Sequence, residues 1–391
     1  MAKMTVAELA ERFQKEFTAV PRIFSAPGRV NLIGEHTDYN EGFVLPTAIG
    51  FYTRIAISPR SDQKLVLRST GFPEKFDFDV TSLPQHKLGA WCDYVLGVAQ
   101  ALIQTGCSFA GANGLVHGEV PIGSGLSSSA ALEVASALAL LSLSEGTMPL
   151  KRVAKLCQSA ENNFVGARVG IMDQFVSCFG KENHALMLDC RSLDCELVPV
   201  PEKVKFVICN TMVKHQLSGG EYNRRREECE RGVKILSQFY PGIMALRDVS
   251  TDQLAVHASS IPPVIYKRCQ HVIEENARVV ETVRSFRAGD LTRVGNLMQA
   301  SHRSLRDLYE VSCRELDIMA ESAQGLPGFY GGRMTGGGFG GCTVNLVESV
   351  HTESFVQQIS KRYRQKTDIS PDVYICSPAD GAGAALNLQP E

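Results

Sequence analysis

The chain has 391 residues, with 40 Lys and Arg against 42 Asp and Glu and 44% hydrophobic residues. At about 150 residues per domain that length suggests two or three domains, enough to build a core without disulfides or a structural metal. A net charge of −2 argues against a general nucleic-acid or membrane-surface binder, which would show a basic excess or stripe.

Thr5-Val-Ala-Glu8 reads as a capping box, and Val6, Leu9, Phe13 and Phe17 follow at helical spacing, so the chain is predicted to open on a helix. The amino terminus shows no apolar run followed by small residues, so a leader is not expected and a cytoplasmic location is. Arg22 to Pro59 is rich in β-formers and punctuated by Gly28, Gly34, Gly42 and Gly50, which predicts strands joined by polar loops. Leu115 to Val120 predicts a further strand. It runs into Pro121-Ile-Gly-Ser-Gly125, and from Ser127 the residues Ala131, Leu132, Ala135, Leu138 and Ala139 form the apolar face of a helix. The longest apolar stretch, Val134 to Leu143, reaches about half the length of a membrane span. A second helix is predicted from near Pro149, a favoured first-turn position, to Gly166.

Strands are predicted at Ala185–Leu188 and Val204–Cys209, separated by the linker candidate Val198-Pro-Val-Pro-Glu202. That segment divides an N-terminal lobe, residues 1–200, from a C-terminal lobe, residues 201–391. The second half reads as helices at Tyr222–Phe239, Val264–Phe286, Leu291–Tyr309 and Glu315–Ala323. A strand at Thr343–Val347, a helix near Glu353–Tyr363 and a strand at Val373–Cys376 complete an α+β chain of mixed sheets and helices. The twelve cysteines are scattered, with Cys190-x4-Cys195 the only close pair, and neither CxxC nor HExxH occurs. Reduced, mostly buried thiols are expected rather than a zinc site or a disulfide framework.

Two segments concentrate glycine. In Pro121-Ile-Gly-Ser-Gly-Leu-Ser-Ser-Ser-Ala130 a strand leads through Gly-x-Gly into a helix that opens on three serines. A helix start offers unpaired N–H groups and a positive dipole end, and glycines let the backbone wrap an anion. Three successive serines exceed what capping requires, so phosphate binding is the preferred reading over a capped turn. The Gly-x4-Gly-Lys-[Ser/Thr] loop of P-loop enzymes is absent. In the other segment seven of the eleven residues from Gly331 to Gly341 are glycine. Its Gly336-Gly-Gly338-Phe-Gly-Gly341 matches GxGxxG in letters, but the β-rich Cys342-Thr-Val-Asn-Leu-Val347 follows where a dinucleotide fold needs a helix. Arg224-Arg-Arg226 lies among Glu221, Glu227, Glu228 and Glu230 and reads as a solvated helix face.

Gly28-Arg-Val-Asn-Leu-Ile-Gly-Glu-His-Thr-Asp-Tyr-Asn-Glu-Gly42 packs charged and polar groups between glycine turns, the donor and acceptor mixture that a polyhydroxylated ligand demands. Almost letter for letter, it resembles the signature of the galactokinases. These belong to a larger family of small-molecule kinases with the homoserine, mevalonate and phosphomevalonate kinases. The serine loop resembles that family's ATP loop, and Met334-Thr-Gly-Gly-Gly-Phe-Gly-Gly-Cys342 resembles its third motif. Likeness continues in Gly170-Ile-Met-Asp-Gln-Phe175 and Ser301-His-Arg-Ser-Leu-Arg-Asp307, and so covers nearly the whole chain.

The resemblance implies a two-lobed small-molecule kinase fold with the active site in the cleft between lobes. It implies ATP-dependent phosphorylation of the anomeric hydroxyl of α-D-galactose, giving galactose 1-phosphate and ADP at the head of the Leloir route. Asp173 matches the family's catalytic aspartate and Arg29 the arginine beside it. Taken alone, Asp173 reads as a helix cap. Glu35, His36, Thr37, Asp38, Gly170 and Tyr222 are expected to bind the sugar. Gly123, Ser124, Gly125, Leu126, Ser127, Ser128 and Ser129 are expected to wall the ATP phosphates. Ser129 and Glu161 match the family's Mg2+ ligands, although Glu161 taken alone reads equally well as a solvent-facing helical glutamate. In relatives the Gly336–Gly341 segment folds back over the site. Trp91, the single tryptophan, stays open between adenine stacking and a core role. The partners implied are galactose and MgATP, with no nucleic acid and no membrane; a monomer is expected and a dimer left open. N-acetylgalactosamine or arabinose remains an alternative sugar. A silent galactose and ATP sensor is disfavoured by the intact Ser127-Ser-Ser-Ala-Ala131, Asp173 and Arg29.

Overall fold

The computed structural model describes residues 3–144, 146–214 and 218–386. The first half runs α1 (Val6–Phe17), β1 (Arg22–Asn31), β2 (Phe43–Val44), β3 (Pro46–Pro59), β4 (Lys64–Ser69), β5 (Phe76–Asp79), α2 (Asp93–Gln104), β6 (Ala112–Gly118), α3 (Ser128–Leu141), α4 (Leu150–Ala160), α5 (Met172–Phe179), β7 (His184–Asp189) and β8 (Cys195–Pro199). The second half continues β9 (Val204–Lys214), α6 (Ser218–Leu236), α7 (Thr251–Val256), α8 (Pro263–Arg287), α9 (Leu291–Ser304), α10 (Arg314–Ala323), β10 (Phe329–Thr335), β11 (Gly340–Glu348), α11 (Thr352–Thr367), β12 (Asp372–Cys376) and β13 (Gly383–Leu386). The expected helices and strands are present with shifted ends. The elements β4, β5, α2, β8, α7, β10 and β13 lie outside the sequence expectation.

Local chemistry accounts for several boundaries. At the start of α1 the Thr5 hydroxyl accepts from Glu8 N–H at 3.2 Å while the Glu8 carboxylate accepts from Thr5 N–H at 2.7 Å, the reciprocal capping box. The helix then lays Leu9 and Phe13 onto Ile23, Ala56 and Leu115. After α4 the chain widens into one π-helical turn, Glu161–Val165, and stops at Gly166 with φ +84, a left-handed terminator as the glycine suggested.

Three sheets organise the described residues. The largest has strand order β13-β1-β3-β6-β4-β5, antiparallel except for the β4–β6 pair. Helices α2 to α5 pack on it over a core that includes Ile55, Leu96, Val134, Ala154 and Phe175. A second sheet, β10-β11-β9-β12, carries α10 and α11. The short β2-β7-β8 sheet completes the set. Val198 and Pro199 finish β8 by pairing with β7, so the linker seen in the sequence shrinks to the residues just before β9. The division at residue 200 is also crossed: β13 returns from the C-terminal end to pair with β1. Both are features of main-chain pairing, invisible in composition.

Candidate active site

The stretch between β6 and α3 is the first wall of the site. Gly123 and Gly125 take left-handed backbones, φ +68 and +79, and so does Ser127 at +61, where a side chain is strained. Ser127 occupies the N-cap position of α3, yet its side chain does not cap the helix. The first-turn N–H groups therefore remain available to an anion. Gly123, Gly125, Leu126, Ser127, Ser128 and Ser129 line a cavity of about 730 Å³. Ser124 does not: it is buried, and its hydroxyl donates to the Pro121 carbonyl at 2.7 Å. It shapes the loop from within, which corrects its expected place on the phosphate wall.

The Ser127 hydroxyl instead donates to Asp173 Oδ2 at 2.5 Å. Asp173 stands in the first turn of α5. Arg29 grips it with two parallel hydrogen bonds, Nε to Oδ1 at 2.9 Å and Nη2 to Oδ2 at 2.8 Å, and gives a third to the Gly125 carbonyl at 2.5 Å. Such a fork is strong and directional. The register of β1 against β3 slips between Pro27 and Arg29, and a Cβ added at Gly28 would come within 2.6 Å of the Leu126 carbonyl. Only glycine lets β1 run this close to the loop, and Arg29 N–H then bonds that same carbonyl at 3.1 Å.

Glu35, His36, Asp38, Gly170 and Tyr222 line the same cavity. The polypeptide between β1 and β2 is held there by α8: Gly34 N–H donates to Glu275 at 2.9 Å, Phe43 N–H to Asn276 at 2.8 Å, and His271 Nε2 meets the Glu35 carbonyl at 3.2 Å. Glu35 is nearly fully buried and accepts from Asn31 at 2.9 Å and from Gly336 N–H at 2.6 Å. Asp38 abuts Gly170 so tightly that a Cβ there would lie 1.8 Å from its Oδ2. Burial, then the charges of Asp173 and Glu35, push the Asp38 carboxyl up to about 7. Thr37 departs from expectation. It is fully buried, its hydroxyl lies 2.8 Å and 2.7 Å from the Gly34 and Phe43 carbonyls, and it does not line the cavity. Its hydroxyl is consumed in closing the loop that presents its neighbours.

Behind the serine loop lies a buried acid pair. Gln174 Nε2 donates to Glu133 at 3.0 Å and to Glu161 at 2.7 Å, and Ser129 bonds Glu161 as well. Glu161 is thus no solvent-facing residue; it is 6% exposed, and burial followed by the Asp173 charge raises its carboxyl to about 7. One oxygen each of Glu133 and Gln174 is buried without a hydrogen-bond partner among the described residues. Hydroxyl and carboxylate oxygens are the donors a hard divalent cation takes, and paired buried acids with unsatisfied oxygens are relieved by one. The residues fit such an ion. Sequence reasoning missed Glu133 and Gln174, although an acid on the apolar face of α3 was a signal.

Beside the serine loop a smaller, mostly apolar cavity of about 140 Å³ is lined by Phe72, Trp91, Tyr94, Ile122 and Leu132 with Ser128 and Ser129. Trp91 stacks on Phe72, ring centroids 6.3 Å apart, and the Trp91 Nε1 has no partner among the described residues. Opposite, the β10–β11 turn leans on the serine loop. Cβ atoms at Gly336 and Gly341 would come within 3.2 Å of the carbonyls of Gly125 and Ser124, and Gly336 and Gly337 line the main cavity. The two glycine segments therefore pack backbone to backbone.

A glycine- and serine-rich helix start, a carboxylate gripped by a guanidinium and a cluster of polar side chains in one cavity suit a small-molecule phosphotransferase. Family comparisons agree. Residues 11–59 match the galactokinase galactose-binding signature, residues 93–181 the GHMP kinases N terminal domain and residues 282–365 the GHMP kinases C terminal. A galactokinase of a Roseiflexus species is 43% identical over 99% of this chain and 100% of its own. A Chloroflexus aurantiacus galactokinase is 41% identical over 99% of both. The crystal structure of Lactococcus lactis galactokinase complexed with galactose superposes with a TM-score of 0.94 at 36% identity, covering 97% of this chain and 100% of that one. Methanococcus jannaschii mevalonate kinase shares the fold at a TM-score of 0.66 and 16% identity, covering 93% and 99%. The chain is a GHMP-type kinase. Within that class it belongs to the galactokinase family.

Proposed function

We propose that the protein transfers the γ-phosphoryl group of ATP to the anomeric hydroxyl of α-D-galactose, giving α-D-galactose 1-phosphate and ADP. The observation that supports this best is Asp173, held by Arg29 and Ser127 between the serine loop and the galactokinase signature inside one cavity. In this reading Glu35, His36, Asp38, Tyr222 and the Gly170 backbone orient the sugar. Asp173 receives the proton of the anomeric hydroxyl as that oxygen bonds to phosphorus. Arg29 orients the carboxylate through its paired hydrogen bonds and offsets charge spreading over the phosphoryl oxygens. The serine loop and the start of α3 hold the phosphates, and the Trp91 cavity seats the base, an apolar slot suited to an aromatic ring. Ser129 and Glu161 would hold Mg2+, which when bound shields the phosphate charges. One chain supplies every one of these groups, so we read the working unit as the monomer.

The test is ADP release with MgATP over a panel of sugars. Galactose should turn over well above N-acetylgalactosamine, arabinose and glucose. Faster turnover of N-acetylgalactosamine or arabinose would move the substrate assignment to that sugar. No turnover with any sugar would refute the kinase reading in favour of a sensor.

A further inference from the structure

Arg333 is the largest fully buried side chain among the described residues, and it stands in β10 opposite Val344. Its guanidinium is poorly served. Nη1 donates to the Asn31 carbonyl at 3.1 Å, while Nε and Nη2 are buried without a hydrogen-bond partner among the described residues. Its counter-charge is Glu35: Nη2 lies 3.5 Å from Glu35 Oε1, and the two side chains are 0% and 3% exposed. Glu275 also feels the Arg333 charge, but it is already held by Arg278 Nε and by the Ser301 hydroxyl, each at 2.6 Å. Glu35 is in no other ion pair among the described residues.

A buried ion pair adds little net stability, because desolvation offsets the attraction, and idle donors on the guanidinium add a further cost. Packing alone would be met as well by a hydrocarbon side chain of similar length. What the charge holds explains it better. Glu35 is where the Gly28–Gly42 stretch meets the glycine turn. Its Oε2 accepts from Asn31 Nδ2 at 2.9 Å, at the end of β1. Its Oε1 accepts from Gly336 N–H at 2.6 Å and lies 3.2 Å from the Thr335 hydroxyl. Those three donors are neutral, and Arg333 alone supplies charge. Glu35 and Gly336 both line the main cavity, and Gly336 packs on Gly125 of the serine loop.

We propose that Arg333 is a positioning residue whose charge holds the Glu35 carboxylate at the junction of the sugar site and the glycine turn. The proposal rests on the galactose reading for its ligand and on the buried ion pair for the residue. Arg333 does not line the cavity, so it acts on the sugar through Glu35. Without Arg333 the carboxylate is a lone buried charge. It then relaxes toward the water of the cavity and slackens its bonds to Asn31 and Gly336, and the sugar no longer meets a fixed acceptor.

The test is a double-mutant cycle of Arg333→Met and Glu35→Gln, read on kcat, on both KM values and on melting temperature, with Arg333→Lys as the conservative control. Arg333→Met should raise the galactose KM about tenfold, as for a misdirected hydrogen bond to a charged group. The KM for ATP should stay within about twofold of wild type. In a Glu35→Gln background the same substitution should change the galactose KM by less than about twofold. Arg333→Lys, which keeps the charge and loses the fork, should lie nearer wild type than Arg333→Met. A tenfold effect that persists without Glu35, or Lys and Met variants that behave alike, overturns the proposal. Melting temperatures give the cycle without a sugar. Each single substitution leaves one buried charge unpaired and the double leaves none, so the double should lose less than the two singles together. Additive losses overturn the proposal. If a single variant does not fold, the double should, and a double that fails overturns it as well. A coupled melting cycle beside absent galactose turnover would sink the substrate assignment alone.

Discussion

Gly170→Ala separates positioning from folding more sharply than any loss of a charged group. The added Cβ would sit 1.8 Å from Asp38 Oδ2 and 2.2 Å from its Cγ, whereas ordinary contact begins at 3.4 Å. The carboxylate must therefore retreat by about 1.6 Å. It can do so by turning about its own side-chain bonds, because the atoms in conflict are the free end of a side chain and not backbone. Gly170 does not use the left-handed region, so alanine is unstrained there and trims the entropy of the unfolded chain by about 0.4–1 kcal/mol. Thermal stability should hold or rise slightly. A misplacement near 1 Å in a reacting complex costs about a hundredfold, equivalent to about 2.7 kcal/mol of transition-state stabilisation. Melting curves beside kcat/KM for galactose, with the KM for ATP as internal control, measure both halves. A variant that melts like wild type and phosphorylates galactose within about twofold of it would refute the assignment of Asp38 and Gly170 to the sugar site. A variant that loses more than about 2 kcal/mol of stability would show that the backbone, not the carboxylate, yields.

The remaining predictions probe the other groups. Asp173→Ala should lower kcat by about 10²–10⁴-fold, the range for a positioned proton acceptor, with the circular dichroism spectrum retained; a loss under tenfold in ADP release would count against its role. Because the Asp38 carboxyl is raised to about 7 from an ordinary 3.8, the folded state keeps that proton longer than the unfolded chain does. Its contribution to stability is therefore lost as pH rises between these values. Asp38→Asn should match wild type in melting temperature near the lower value and exceed it above the upper one. A difference independent of pH would exclude that shift. Ser129→Ala should raise the half-saturating magnesium concentration severalfold and weaken Mn2+ binding by electron paramagnetic resonance; unchanged titrations would remove Ser129 from the metal site. Leu132→Phe, which fills the Trp91 cavity, should raise the KM for ATP and leave that for galactose alone, and an equal rise in both would refute the base pocket.

Much of the site was legible because its signals are local. The capping box of α1, the strand-to-helix passage through Gly123 and Gly125, the left-handed stop at Gly166 and the signature from Gly28 to Gly42 all depend on neighbours within a few residues. Periodicity placed α3, α4, α8 and α9 for the same reason. The partnerships were not legible, since they join residues far apart: Arg29 reaches Asp173 across 144 positions and Glu35 reaches Gly336 across 301. Ser127 and Thr37 show the difference for a single kind of group, the side-chain hydroxyl. The sequence placed both hydroxyls beside glycine turns, but only packing sent one to the Asp173 carboxylate and spent the other on its own loop. The strands β10 and β13 escaped notice because their formation depends on edges offered by β11 and β1, not on their own composition. Chemistry class and ligand type are thus written in short segments of this chain. Which oxygen faces the cavity, which acids are paired behind the serine loop and which way a hydroxyl points were decided by tertiary contact, because a hydrogen bond belongs to two residues and a sequence lists them one at a time.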